Sequence, residues 1–116
     1  MPKMHEVSIM ENILAIVEPP ARAAGAASIT RITLVVGELS GVAPEALEFA
    51  FQALSPGTLA EHAELVIRRI PVRCFCRTCR KEFQPAGPFY ECPSCGGLTT
   101  EITAGRELQI ASVEIP

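Results

Sequence analysis

Tryptophan is absent from this 116-residue chain, tyrosine occurs once, and aromatic residues amount to only 5%. The core must therefore be aliphatic, and the material is there: 48% of residues are hydrophobic, well above what a disordered chain carries. Long apolar runs are missing. No stretch approaches the ~20 residues a membrane helix requires, and Glu11 and Asn12 interrupt any signal-peptide block behind the N-terminus. A basic excess is missing too. Ten Lys and Arg stand against 13 Asp and Glu, for a net charge of −3, whereas duplex binders draw most of their affinity from phosphate neutralisation. Finally, the sequence holds no G-x-x-x-x-G-K-[ST] phosphate loop, no G-x-S-x-G elbow and no H-E-x-x-H motif. These absences turn the reading away from enzymes, membranes and nucleic acid and towards a cytoplasmic binding protein.

Hydrophobic periodicity supplies the elements. Over residues 5–18, Val7, Met10, Ile13, Leu14 and Val17 fall on one helical stripe, widened by Ile9 and Ile16. Pro19-Pro20 should end that helix near Glu18, and Gly25 suits a chain reversal. Residues 29–37 are β-branched and alternate, which predicts a strand. Pro44 then opens a helix carrying Leu47, Ala50, Phe51 and Leu54, and residues 64–72 form another strand. Residues 107–115 resume strand character, but Leu108 and Ile110 differ in parity from Val113 and Ile115. A bulge, or burial on both faces, is expected near Ala111-Ser112. The fold class is α+β, a small three-stranded sheet covered by two helices with an inserted four-cysteine, zinc-ribbon-like module. The expected division is 1–72, the inserted module at 73–104, and a returning strand at 105–116.

The insertion is marked by cysteine. Cys76-Arg77-Thr78-Cys79 and Cys92-Pro93-Ser94-Cys95 are two C-x-x-C knuckles. Each can turn two sulfurs onto one ion, and together they complete a tetrahedral Zn²⁺ shell, with Gly96-Gly97 easing the second turn. A site closed by four thiolates is structural and would bring the loaded chain to about −5. Disulfides, or a thiol redox switch involving Cys74, are the competing readings; a thioredoxin-like pair would need one knuckle at a helix start, and neither is there. Cys74 reads as a spare thiol or an alternate ligand. Arg73, Arg77, Arg80 and Lys81 crowd the first knuckle, either balancing thiolate charge or forming a basic patch. The patch, with Phe75, Phe83, Phe89 and Tyr90 as stacking groups, would make the chain a zinc-ribbon nucleic-acid adaptor.

Met4-His5-Glu6-Val7-Ser8-Ile9 heads the first helix, and Val36-Gly37-Glu38-Leu39-Ser40-Gly41-Val42 follows the first strand. With the paired knuckles, in this order and spacing, the chain resembles the HypA/HybF family over nearly its whole length. The resemblance implies a nickel metallochaperone for [NiFe]-hydrogenase maturation. Its implied partners are a HypB-type GTPase and the hydrogenase large-subunit precursor, with urease accessory proteins and a homodimer left open. It also implies transient Ni²⁺ on His5, with Glu6 contributing. The chemistry agrees, because Ni²⁺ favours nitrogen donors and square-planar N,O sets. Met1-Pro2-Lys3 precede the Met4 at which the family pattern begins. Either the chain starts at Met4, or nickel takes the backbone amides of Met4, His5 and Glu6, or it is six-coordinate with outside ligands. Some relatives carry an acidic residue where this chain has Ala43. His62 reads as a loop histidine.

Overall fold

The computed structural model describes residues 2–116, with side chains from His5 onward. Its elements are α1 (Pro2–Ala23), β1 (Arg31–Gly37), α2 (Pro44–Leu54), β2 (Glu64–Ile70), β3 (Arg73–Cys76), β4 (Lys81–Phe83), β5 (Ile102–Ala104) and β6 (Leu108–Glu114).

The helical stripe of α1 buries Met10, Ile13 and Val17, while Ile16 stays outside. The helix does not stop at the prolines: it runs through Pro19 and Pro20 to Ala23. An interior proline costs about 3 kcal/mol when its i−4 carbonyl is stranded. Here Ala15, Ile16, Pro19 and Pro20 all lie on the exposed face, where water serves the freed carbonyls. Ala21 extends the buried stripe beyond the prolines. Glu18 anchors this end from the side, its Oε2 accepting the Leu59 amide at 3.1 Å. Termination comes instead at Gly25 (φ +81). Ala26 N–H bonds the Ala21 carbonyl and Gly25 N–H the Arg22 carbonyl, the paired closure of a Schellman motif.

β1 pairs with β2 in parallel, in register from Arg31↔Glu64 to Gly37↔Ile70. A parallel pair needs a crossover, which α2 supplies, placing Leu47, Ala50 and Phe51 in the core. β6 flanks β1 on the other side, antiparallel, giving the order β2-β1-β6. The expected bulge is present. Thr33 pairs with Ser112 and Leu34 with Ile110, so Ala111 is the extra residue. It returns Val113, Ile110 and Leu108 to the face carrying Ile32, Leu34 and Val36, and the parity conflict in the sequence is resolved. Both helices serve one aliphatic core.

Between β2 and β6 the chain builds a second sheet, β4-β3-β5, around its own small core of Val72, Cys74, Cys76, Phe83 and Cys92. No strand of this sheet packs substantially against the first sheet or the helices. The molecule accordingly measures 55 × 31 × 16 Å with a radius of gyration of 17.7 Å, where a single compact body of this length would have about 13 Å.

Candidate metal sites

Four sulfurs meet at the base of the second sheet. Cys76 closes β3, Cys79 follows in the turn to β4, and Cys92 and Cys95 sit in the second knuckle. All five cysteines are free thiols. The Sγ atoms of Cys76, Cys79, Cys92 and Cys95 lie within 4.8 Å of one another, the one such metal-binding group among the described residues. Cys76–Cys95 is 3.6 Å and Cys79–Cys92 is 3.9 Å. An ion held tetrahedrally by bonds of about 2.3 Å spaces its sulfurs about 3.8 Å apart, so the arrangement fits one.

The two knuckles share a local design. The Cys79 amide points at Cys76 Sγ, and the Gly97 amide at Cys95 Sγ, each at 3.4 Å. Each knuckle turns left-handed just after its second cysteine, at Arg80 (φ 54) and Gly96 (φ 74). Glycine at 96 meets that demand without cost; arginine at 80 does not, and its sequence gives no sign of the strain. Thiol acidity diverges across the cluster. The Cys92 thiol is drawn down to about 6, first by the Cys95 amide and then by that of Ser94. Cys79 is pushed up to about 12, chiefly by the Cys95 sulfur and by burial. Sulfurs this close cannot all ionise unaided, and a cation in their midst is what lets them.

Cys74 stands apart from this group, fully buried in the small core, where loss of solvent raises its pKa. Two arginines of the first knuckle are paired with carboxylates: Arg73 with Glu82 at 3.2 Å, and Arg77 with Glu101. Of the aromatics, Phe83 is buried and Tyr90 packs against the core, while Phe89 is exposed. His62 sits exposed in the turn before β2.

His5 is exposed in the first turn of α1. Met4 belongs to the same turn, and its side chain lies outside those described. Glu6 is not beside His5 on the surface. It is only 2% exposed and turned inward, where Oε2 accepts the Ala43 amide at 3.2 Å. Oε1 is buried without a partner among the described residues. Ala43 is the N-cap of α2 and supplies no capping side chain, so a carboxylate from α1 sits at that helix's positive end instead. Glu45 pairs with Arg69, and Glu38 accepts the Val72 amide at 2.7 Å. Glu38 follows β1 and Glu45 lies in the first turn of α2, and no local pattern shows what they and Glu6 bind. Those partners lie 24 to 37 positions away in the chain.

Comparison with known proteins supplies the family. A family model described as hydrogenase/urease nickel incorporation, metallochaperone, hypA matches residues 4–115. The hydrogenase maturation factor HypA of Picosynechococcus sp. is 46% identical over 112 residues, covering 97% of this chain and 99% of that protein. That of Geobacter metallireducens is 42% identical over the same coverage. Among solved structures, the Ni metallochaperone HypA from Helicobacter pylori superposes with a TM-score of 0.64 at 27% identity, covering 95% of this chain and 96% of that one. A second HypA solution structure reaches 0.70 at 28% identity, with 97% of each chain covered. Two helices on a mixed sheet, a separate four-cysteine cluster and these matches agree: the chain belongs to the HypA family of nickel metallochaperones for hydrogenase maturation, which are not enzymes.

Proposed function

We propose that this chain carries Ni²⁺ at its N-terminus and passes it, with a HypB-type GTPase, to the [NiFe]-hydrogenase large-subunit precursor, while Zn²⁺ on Cys76, Cys79, Cys92 and Cys95 serves structure alone. The observation that carries the reading is the contrast between the two sets of donors. Four sulfurs saturate a tetrahedral ion and leave no open position for a cargo. His5 is exposed in the first turn of α1, a shallow setting suited to giving an ion away. Its imidazole and the neighbouring backbone nitrogens of Met4, His5 and Glu6 are the donors Ni²⁺ favours. The inward turn of the Glu6 carboxylate supports giving Glu6 an amide role here and not a carboxylate one. Urease accessory proteins are further candidate recipients, in keeping with the family's description, and the chain works in the cytoplasm, where its thiols stay reduced.

The test is nickel calorimetry on tag-free protein beginning at Met1 and at Met4, each with and without His5→Ala. His5→Ala should abolish tight one-to-one nickel binding and leave bound zinc unchanged. Equal nickel binding by the alanine variant would sink the N-terminal assignment. Pull-down of a HypB-type GTPase by the wild-type chain tests the delivery step.

A further inference from the structure

The two bodies of the molecule are joined at one narrow place. The chain leaves the first sheet at Ile70 and returns at Leu108, and these two strands flank the last residue of β1, Gly37. Both linkers converge over that residue. A Cβ on Gly37 would collide with the Gly105 carbonyl, and one on Gly105 would lie 2.9 Å from Val72 Cα. Gly105 itself takes φ +117, which only glycine adopts readily. Val72, Gly105 and Gly37 are thus stacked backbone on backbone, with no side chain between them.

The residues just after Gly37 then bond both linkers. Gly37 N–H donates to the Glu107 carbonyl at 2.7 Å, Glu38 N–H to the Ile70 carbonyl at 2.9 Å, and Leu39 N–H to the Gly105 carbonyl at 2.6 Å. The Glu38 carboxylate takes the Val72 amide at 2.7 Å, and that of Glu107 takes the Gly105 amide at 2.8 Å. Because the two cores are separate and their elements do not pack substantially together, this junction is the main feature that can fix the angle between them.

We propose that Gly37-Glu38-Leu39 is a clasp, and that Glu38 is the positioning residue setting the orientation of the four-cysteine module relative to the His5-bearing layer. The outgoing linker is held by a side chain at Val72, where the peptide before it, Ile70-Pro71, has only the one bond from Glu38 N–H. Pro71 has no N–H to contribute. Removing the carboxylate therefore frees the outgoing linker, while both cores stay whole. The inference does not depend on which metal either end binds.

The experiment uses the full zinc-loaded chain and compares wild type, Glu38→Ala, Glu38→Gln and Gly37→Ala. Backbone 15N relaxation reads the tumbling of each body, and amide exchange reads Val72. In wild type the two bodies should share one rotational correlation time. Glu38→Ala should split them and speed Val72 exchange by about tenfold or more, the opening of a local bond without global unfolding. Glu38→Gln retains an acceptor oxygen and should restore joint tumbling. Gly37→Ala should split the bodies by steric means. Zinc content and the unfolding midpoint of the helical layer should not change with Glu38→Ala. Joint tumbling in Glu38→Ala overturns the proposal, whatever Gly37→Ala does. So does a Gln variant as loose as the alanine one.

Discussion

Glu6 offers the sharpest test of how the N-terminal end is built. Its side chain is 2% exposed, one oxygen holds the Ala43 amide at 3.2 Å, and the other has no partner among the described residues. Truncation to alanine strands the Ala43 N–H, at about 1–3 kcal/mol. It removes one buried methylene at ~0.8 kcal/mol along with the carboxylate. It also deletes a negative charge from the start of α2, worth about 0.3–1 kcal/mol. Against these stands the relief of the unpartnered oxygen, again about 1–3 kcal/mol. The net expectation for Glu6→Ala is a loss of roughly 1–3 kcal/mol. Glu6→Gln keeps the volume and an acceptor for Ala43, and should fall within ~1 kcal/mol of wild type. Urea unfolding of the zinc-loaded protein, followed by helical circular dichroism, measures both. Nickel calorimetry on the same variants separates structure from ligation: with the carboxylate turned inward, Glu6→Gln should bind nickel within about threefold of wild type, a change under ~0.7 kcal/mol. A glutamine variant as unstable as alanine would mean that the charge is the essential part. A tenfold or greater loss of nickel affinity on Glu6→Gln would mean that the carboxylate reaches the ion, and the inward geometry would be refuted as the working one.

Further outcomes follow from other contacts. Cys92→Ala or a strong chelator should unfold residues 74–103 and leave the α1–α2 layer folded, seen as proteolysis confined to that segment, because metal binding and local folding are coupled; a protease-resistant module in the alanine variant would contradict the structural role. Acidification should release the ion, since each ligating thiolate competes with protons, and release should show as free zinc on titration from pH 7 to 5. Glu18 should contribute to acid stability. The Leu59 amide holds its carboxyl below the usual range, so its stabilisation is complete above about 4.3, the unfolded value, and is lost as pH falls through the lower folded one. Glu18→Gln should flatten that part of the pH profile, and an unchanged profile would count against the contact. Arg80→Gly should raise the module's thermal stability by about 0.5–1 kcal/mol, the left-handed strain less the glycine's extra chain entropy; a loss would show that the arginine side chain compensates.

Most of the layer was legible because its signals are local. Alternation gave β1, Pro44 and its apolar spacing gave α2, and the parity conflict at Ala111-Ser112 gave a bulge without any knowledge of the partner strand. The cysteine spacing likewise brought the four sulfurs to one place. What escaped was decided at long range. Pro19-Pro20 reads as a stop, yet the helix continues because those turns face water and Ala21 is buried beyond them. Glu6 reads as an exposed neighbour of His5, yet an uncapped helix 37 positions later takes its carboxylate. Arg73 and Arg77 read as a basic cluster, yet strand pairing and the return of the chain bring Glu82 and Glu101 to them. No local pattern encodes those meetings.

The extra residue at Ala111 has a consequence beyond placing Val113 over the core. β6 is the outer strand of its sheet, and an open strand edge invites a second chain to add on, copy after copy. An insertion there breaks the even spacing of unpaired amides and carbonyls and twists the strand away from flatness. The bulge splits the edge into two regular runs of three residues, Leu108 to Ile110 and Ser112 to Glu114. The device that lets one strand satisfy an aliphatic core therefore also makes a poor template for fibre growth, a useful property in a chain whose Ile16 is 60% exposed.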